Sequence, residues 1–333
     1  MSKRVKGPAR HTAPGVGAAW IENKAVFVFG DGRIKLGDQD VHPHHGGILA
    51  MVADPPRNSI LTSGDDGKVM RVFGDGSTEV IFDAPRKWLD AIELHPQTGK
   101  IAVAVGQHVA LIKMDGAVLT LAPAKGPTAF AFNQEGTELA VAHSGGVSLF
   151  DTNAGELVQE IPCGGGPISV AYSGQNAFLF VGLSEPALAG WRLRDGTAFK
   201  MGGYPAKPRQ LFVQKDGGIL LTSGGPALLA WPILGDRGPM GQQAGVYRPR
   251  LGLVTSVIGI GNQALVGWSD GGVDQVDLIS GEFKHLCGAR PRRELSDDPR
   301  KLQRGVLALA PHPSGRQFAW VAEDGSHGHQ WLS

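Results

Sequence analysis

A β-propeller, an all-β ring of small four-stranded antiparallel sheets, is the fold class this 333-residue sequence predicts, and three observations carry it. Short apolar strands recur about every 42 residues, the spacing of one propeller blade. Glycine is abundant at 49 residues while 42% of the chain is hydrophobic, which means many tight turns around a real core. Helical i, i+3, i+4 spacing is essentially missing.

Each blade is an apolar strand, a turn, a second apolar strand ending in small residues, and a third strand. The opening copy is degenerate, at 17–21, 24–30 and 32–36. The next is 48–54, 59–67 and 68–73, followed by 90–96, 100–106 and 108–113. Then come 128–133, 138–145 and 146–151, and 168–172, 177–182 and 188–193. The sixth is 210–214, 218–224 and 228–233; the seventh is 254–260, 263–270 and 272–278. The last is 306–312, 317–324 and 328–332. Second strands close near Gly30, Gly64, Gly106, Ala142, Gly182, Gly224, Gly267 and Ala322, which sets the period.

A fourth, outer strand fits at 77–82, 117–121, 157–161, 197–201 and 282–286. The last copy lacks one, and residues 4–13 are expected to supply it and close the ring. Eight blades are favoured; if the opening copy only completes the last, the count is seven. A lone blade cannot bury both faces, but radial stacking covers each with its neighbour. Second strands such as Ile101-Ala-Val-Ala-Val105 and Leu139-Ala-Val-Ala142 are apolar on both sides, as that packing requires. The whole chain, 1–333, is expected to form one propeller domain, with 1–15 as closing segment and 287–304 as an inserted basic loop.

The blade cores resemble the WD-repeat propeller family, and its bacterial members in overall shape. The residues are Ser63-Gly-Asp-Asp-Gly-Lys-Val-Met-Arg-Val-Phe73, Asn133-Gln-Glu-Gly-Thr-Glu-Leu-Ala-Val-Ala142, Trp268-Ser-Asp-Gly-Gly-Val-Asp-Gln-Val-Asp277 and His312-Pro-Ser-Gly-Arg-Gln-Phe-Ala-Trp320. The aromatic-Asp strand ending survives as Phe150-Asp151; Phe73, Trp191, Trp231 and Trp331 keep only the aromatic. The family's Gly-His dipeptide is absent and appears reversed as His45-Gly46, so most blades lack positions for its internal hydrogen-bond tetrad. The resemblance implies a protein-interaction platform, with residues just before each inner strand on the upper face. That places Trp88, Arg209, Arg250 and Arg304 there, beside the distinctive loop Gly202-Gly-Tyr-Pro-Ala-Lys-Pro-Arg209.

Composition excludes several classes. Net charge is +1, from 32 basic and 31 acidic residues, so the surface as a whole is not built for a polyanion. Two cysteines, Cys163 and Cys287, are too few for a disulfide framework and neither has a C-x-x-C context. No signal peptide and no run of about 18 apolar residues is readable. A cytoplasmic monomer with reduced thiols is expected.

Chemical motifs are sparse. No Ser-His-Asp or Cys-His arrangement and no phosphate-binding loop appears. Gly164-Gly-Gly166 precedes a strand, not a helix, and reads as an interblade turn. Asp31, Asp65, Asp66, Asp270 and Asp324 read as turn residues, which disfavours a propeller enzyme with a central site. The histidines suggest an alternative: His42, His44 and His45 at one end and His327 and His329 at the other become neighbours in a closed ring, with His11 between. Imidazoles suit zinc, giving a metal-handling module. No other cofactor is expected. The segment 287–304 is basic; from Arg290 to Arg304 it holds five Arg and one Lys against three acids, without aromatics to stack nucleic acid. The leading expectation is a non-catalytic scaffold that binds a protein partner through Trp88, Tyr204, Lys207, Arg209, Arg250 and Arg304. Neither membrane nor nucleic acid is expected as a partner.

Overall fold

The computed structural model describes residues 9–214, 217–288 and 305–332. Among these, eight four-stranded antiparallel sheets make the blades of a ring. Blades one to seven occupy 15–41, 48–83, 92–121, 127–162, 167–201, 211–247 and 254–287, each running from inner to outer strand in chain order. Blade eight is Val306–Pro311, Gln317–Ala322 and Ser326–Trp331, completed by Ala9–Arg10 from the other end of the chain. The clasp pairs Ala9 with His327 and Arg10 with Ser326, and His11 N–H donates to Gly325 O at 3.0 Å. The count is therefore eight, and of the segment 4–13 expected to close the ring, Ala9 and Arg10 do so among the described residues, residues 4–8 lying outside them.

Strand positions follow the hydrophobic pattern closely. Ile48–Asp54, Gly146–Asp151, Thr197–Met201 and Val254–Ile260 fall where the sequence puts them. Two outer strands escape the sequence pattern, Gln39–Val41 and Gly245–Tyr247. At three residues each they are too short to show alternation.

Adjacent blades share their cores. Ile21, Val26 and Ile34 of blade one pack with Ile48, Ile60 and Val72 of blade two. The closing seam is built the same way, Phe27 and Phe29 meeting Ala319 and Val321 of blade eight. Trp20 Nε1 also donates to Ala310 O at 2.9 Å across that seam. On the lower face, His95 Nε2 reaches Gln134 O at 3.1 Å, Gln214 Nε2 reaches Gly261 O at 3.0 Å, and His312 Nε2 reaches Glu22 O at 3.1 Å. Each bond ties one blade to the next.

The turn aspartates do what their positions imply. Asp31, Asp66, Asp270 and Asp324 each accept the backbone N–H two residues on. Gly182 is required by crowding: a Cβ there would collide with the Pro208 carbonyl. Gly67 is required by its left-handed φ of 82° as well as by the Ala84 carbonyl it faces.

Candidate functional site: the upper mouth and central opening

The loops that lead into inner strands share one face with the turns between second and third strands. On this face Trp88 is 71% exposed. Its loop is fixed from below: Leu89 is fully buried and its N–H donates to Gly64 O at 3.1 Å. Arg86 turns the chain at a φ of 65°. The result is a large aromatic held outward by a rigid support. Arg209 and Lys207 are exposed on the loop before Leu211–Val213, while Pro208 between them is buried. Ser169 Oγ donates to Pro208 O at 2.9 Å and Ala206 N–H to Gly224 O at 3.1 Å, so this loop is pinned too. Leu251, 56% exposed on the loop before Val254–Ile260, belongs with them; no sequence signal marks it.

Inside the mouth is an opening of about 340 Å3 whose lining includes Ala50, Glu93, Thr128, Arg209 and Gln210. Gln210 spans blades: its Nε2 donates to Leu307 O at 2.8 Å and its Oε1 accepts from Val257 N–H at 3.1 Å. A second chamber of about 410 Å3 lies below, and Glu93 lines both. The inner strands carry two acids. Asp54 is fully buried and answered by Arg57 at 3.0 Å and Arg71 at 3.3 Å. Glu93 has no ion-pair partner among the described residues, and burial pushes its carboxyl up to about 7. It can therefore hold or release a proton near neutrality.

Two proposed partner contacts turn out to be internal. Tyr204 is 5% exposed; its hydroxyl pairs with Thr222 Oγ1 at 2.9 Å and accepts from Trp231 Nε1 at 2.8 Å. Burial pushes that phenol up to about 12. The Arg250 side chain is 3% exposed, bonded to Asp270 and to Asp274 at 3.2 Å and lying over the Trp268 ring at 4.5 Å. Arg248 and His285 complete the shell of Asp274 at 3.2 and 2.8 Å. A buried carboxylate claims both arginines, so neither is a free anchor. Arg304 and the rest of 289–304 lie outside the described residues.

The histidines do not assemble a metal site. His44 is buried, its Nδ1 paired with Asp66 at 2.9 Å and its Nε2 with Thr62 Oγ1 at 2.9 Å. Although burial opposes it, the hydrogen bond and charge of His44 hold the Asp66 carboxyl below its ordinary value. His42 and His45 point outward from the same loop. His327 packs against Phe27 at 4.8 Å between ring centres and Phe29 at 5.2 Å, and His329 meets the edge of Trp20 at 5.8 Å. His11 stacks on Phe29 at 4.2 Å. Among the described residues no group of three or more His, Cys, Asp or Glu side chains is placed to hold a metal ion. Hydrogen bonding and ring packing hold these imidazoles apart, and the zinc alternative is set aside. The two cysteines are unpaired, and burial raises both thiols, Cys287 to about 12, so neither is activated.

The polar cluster His44–Asp66–Thr62 of blade two has a counterpart in Tyr204–Thr222–Trp231 of blade six. In both, a side chain from the loop before the inner strand, His44 or Tyr204, reaches a threonine of the second strand.

Eight antiparallel blades around a central opening define an eight-bladed β-propeller. The solved structure of the computationally designed Ika8 protein is similar, with a TM-score of 0.78 at 15% identity, over 97% of this chain and 98% of that one. At that identity the likeness is one of fold. No family model and no curated protein compared with the chain matches it. No helix of the described residues is long and apolar enough to cross a membrane.

Proposed function

We propose that this propeller is a non-catalytic platform that holds a protein partner on its upper face, as the resemblance of its blade cores to the WD-repeat family suggests. The observation that carries the reading is Trp88, a large aromatic that is 71% exposed on a loop with a fully buried anchor. Tryptophan and arginine are the residues most enriched among binding hot spots, and a rigid loop loses little entropy when it docks. Arg209, Lys207 and Leu251 extend the contact around the mouth. On this reading the protein works as a cytoplasmic monomer of bacterial type, and its partner sets its pathway.

The test is affinity capture from the source cell with wild type, Trp88→Ala and Arg209→Ala. Wild type recovers a stoichiometric partner, and each variant loses roughly tenfold or more of it at unchanged thermal stability. Equal recovery by both variants overturns the assignment.

Glu93 favours one second reading, a central site that uses a carboxyl titrating near neutrality as acid or base. A small-molecule turnover abolished by Glu93→Gln, with partner capture intact, would select it.

A further inference from the structure

The inside of the central opening supports an inference from two charged side chains that face the same space and do not meet. In blade three, Ala104 N–H donates to Ala91 O; in blade six, Ser223 N–H donates to Gln210 O. These bonds put Ala91 level with Gln210, and so Glu93 level with Phe212. In the other blades the residue that follows the inner-strand bulge holds the level of Ala91. The ring level with Glu93 is otherwise apolar: Val52 and Ala131 stand on either side of it, with Ala171, Phe212 and Ile258 further round. Only the Leu94 backbone N–H supports the charge of Glu93. A carboxylate set in an apolar ring costs stability unless something in the opening answers it.

The upper chamber has the size of a small-ligand site, about 340 Å3, and Ala50, Ala91, Ala129 and Phe212 help to wall it. Thr128 and Ser169 also line it, but their hydroxyl protons are spent on Pro167 O at 2.8 Å and Pro208 O at 2.9 Å. Gln210 is held at both ends, by Leu307 O and Val257 N–H. The other polar side chain of the lining is Arg209, whose guanidinium has no hydrogen bond or ion pair among the described residues.

No ion pair joins Arg209 to Glu93. In register Arg209 stands three residues nearer the upper rim, about 10 Å along the strand direction. Glu93 lies at the lower end, where the two chambers meet. An ion of one sign would answer one of these charges and oppose the other. We propose that the central opening binds a small zwitterion, with its ammonium end on Glu93, its acid end at Arg209 and an apolar chain of several bonds between them. The ring around Glu93 excludes water and strengthens the lower contact, while solvent at the rim weakens the upper one, so Glu93 supplies more of the affinity. The opening is the one invoked in the second reading above, but binding requires neither turnover nor a protein partner. Its failure therefore leaves the upper-face platform standing.

The test is isothermal titration calorimetry on the full chain at about pH 8, where Glu93 is ionised. The probes are 8-aminooctanoate, whose ends span the separation of the two charges, and its halves octylamine and octanoate. The zwitterion should bind saturably, octylamine roughly fivefold more weakly, and octanoate not measurably. Glu93→Gln should weaken 8-aminooctanoate by roughly tenfold or more without lowering the melting temperature. Arg209→Gln should remove its advantage over octylamine. Octylamine binding to wild type as tightly as 8-aminooctanoate overturns the proposal, because the acid end then takes no part. Undiminished binding by Glu93→Gln, measurable binding of octanoate, or no binding of 8-aminooctanoate overturns it as well.

Discussion

Blade four and blade eight are built from the same repeat but end differently. Blade four closes with Leu157–Pro162, a full outer strand paired along Gly146 to Phe150. Among the described residues, blade eight closes with two borrowed from the other end of the chain, Ala9 and Arg10. Their interiors do not differ in kind: Leu139 in one and Phe318 in the other are both fully buried in cores shared with a neighbour. The contrast teaches that the inner strands and the cores shared with a neighbour hold the ring alike in both blades, however each outer strand is supplied.

The largest expected effects test the shared part. Leu139→Ala and Phe318→Ala should each cost about 3–5 kcal/mol in chemical denaturation, because each leaves a cavity that its rigid blades cannot refill. A much smaller loss at Phe318 would mean that blade eight is loosely packed as well as short. Next comes the buried carboxylate that helps pin the outer strand of blade seven through His285. Asp274→Ala leaves Arg248 without its carboxylate and Arg250 with Asp270 alone, and should cost about 3 kcal/mol.

Glu93 lies beside Phe130 of blade four in both chambers. Its carboxyl is raised, so the neutral form fits the fold. That contribution is whole below the ordinary glutamate range and is lost as pH rises through about 7. Glu93→Gln should therefore match wild type at acid pH and exceed it above neutrality by at most about 3 kcal/mol, read from melting curves across pH. The smallest effect is assigned to the clasp. Removing residues 1–10 should cost about 1 kcal/mol, the worth of a few exposed backbone hydrogen bonds. Wholesale unfolding would show that the strand, not the core, closes the ring.

Most of the architecture was legible in the sequence because a blade repeats its chemistry. Apolar second strands, small residues near the axis and Gly/Asp turns recur at one period, and the short closing segment stood out as the missing piece. Gln39–Val41 and Gly245–Tyr247 were not legible because three residues cannot display a pattern. The site was read less well. Trp88 and Arg209 are exposed as expected, but Tyr204 and Arg250 look like surface loop residues until their distant partners are known. The sequence does carry one signal of these internal bonds. His44 and Thr62 are separated by 18 residues, and so are Tyr204 and Thr222. A polar side chain before an inner strand, followed 18 residues later by a threonine, marks an internal bond and not a free anchor. The histidines misled because closeness along a ring says nothing about which way imidazoles point.

Amide hydrogen exchange tests the contrast between the two blades most directly. The third strand of blade four, Gly146–Asp151, should be protected throughout, with rates near those of global opening. In blade eight, alternate amides between Gly328 and Trp331 should exchange orders of magnitude faster, while those bonded to Gln317–Ala322 stay protected. Uniform protection across Gly328 to Trp331 would contradict the account, because it would mean that the outer edge of blade eight is already paired.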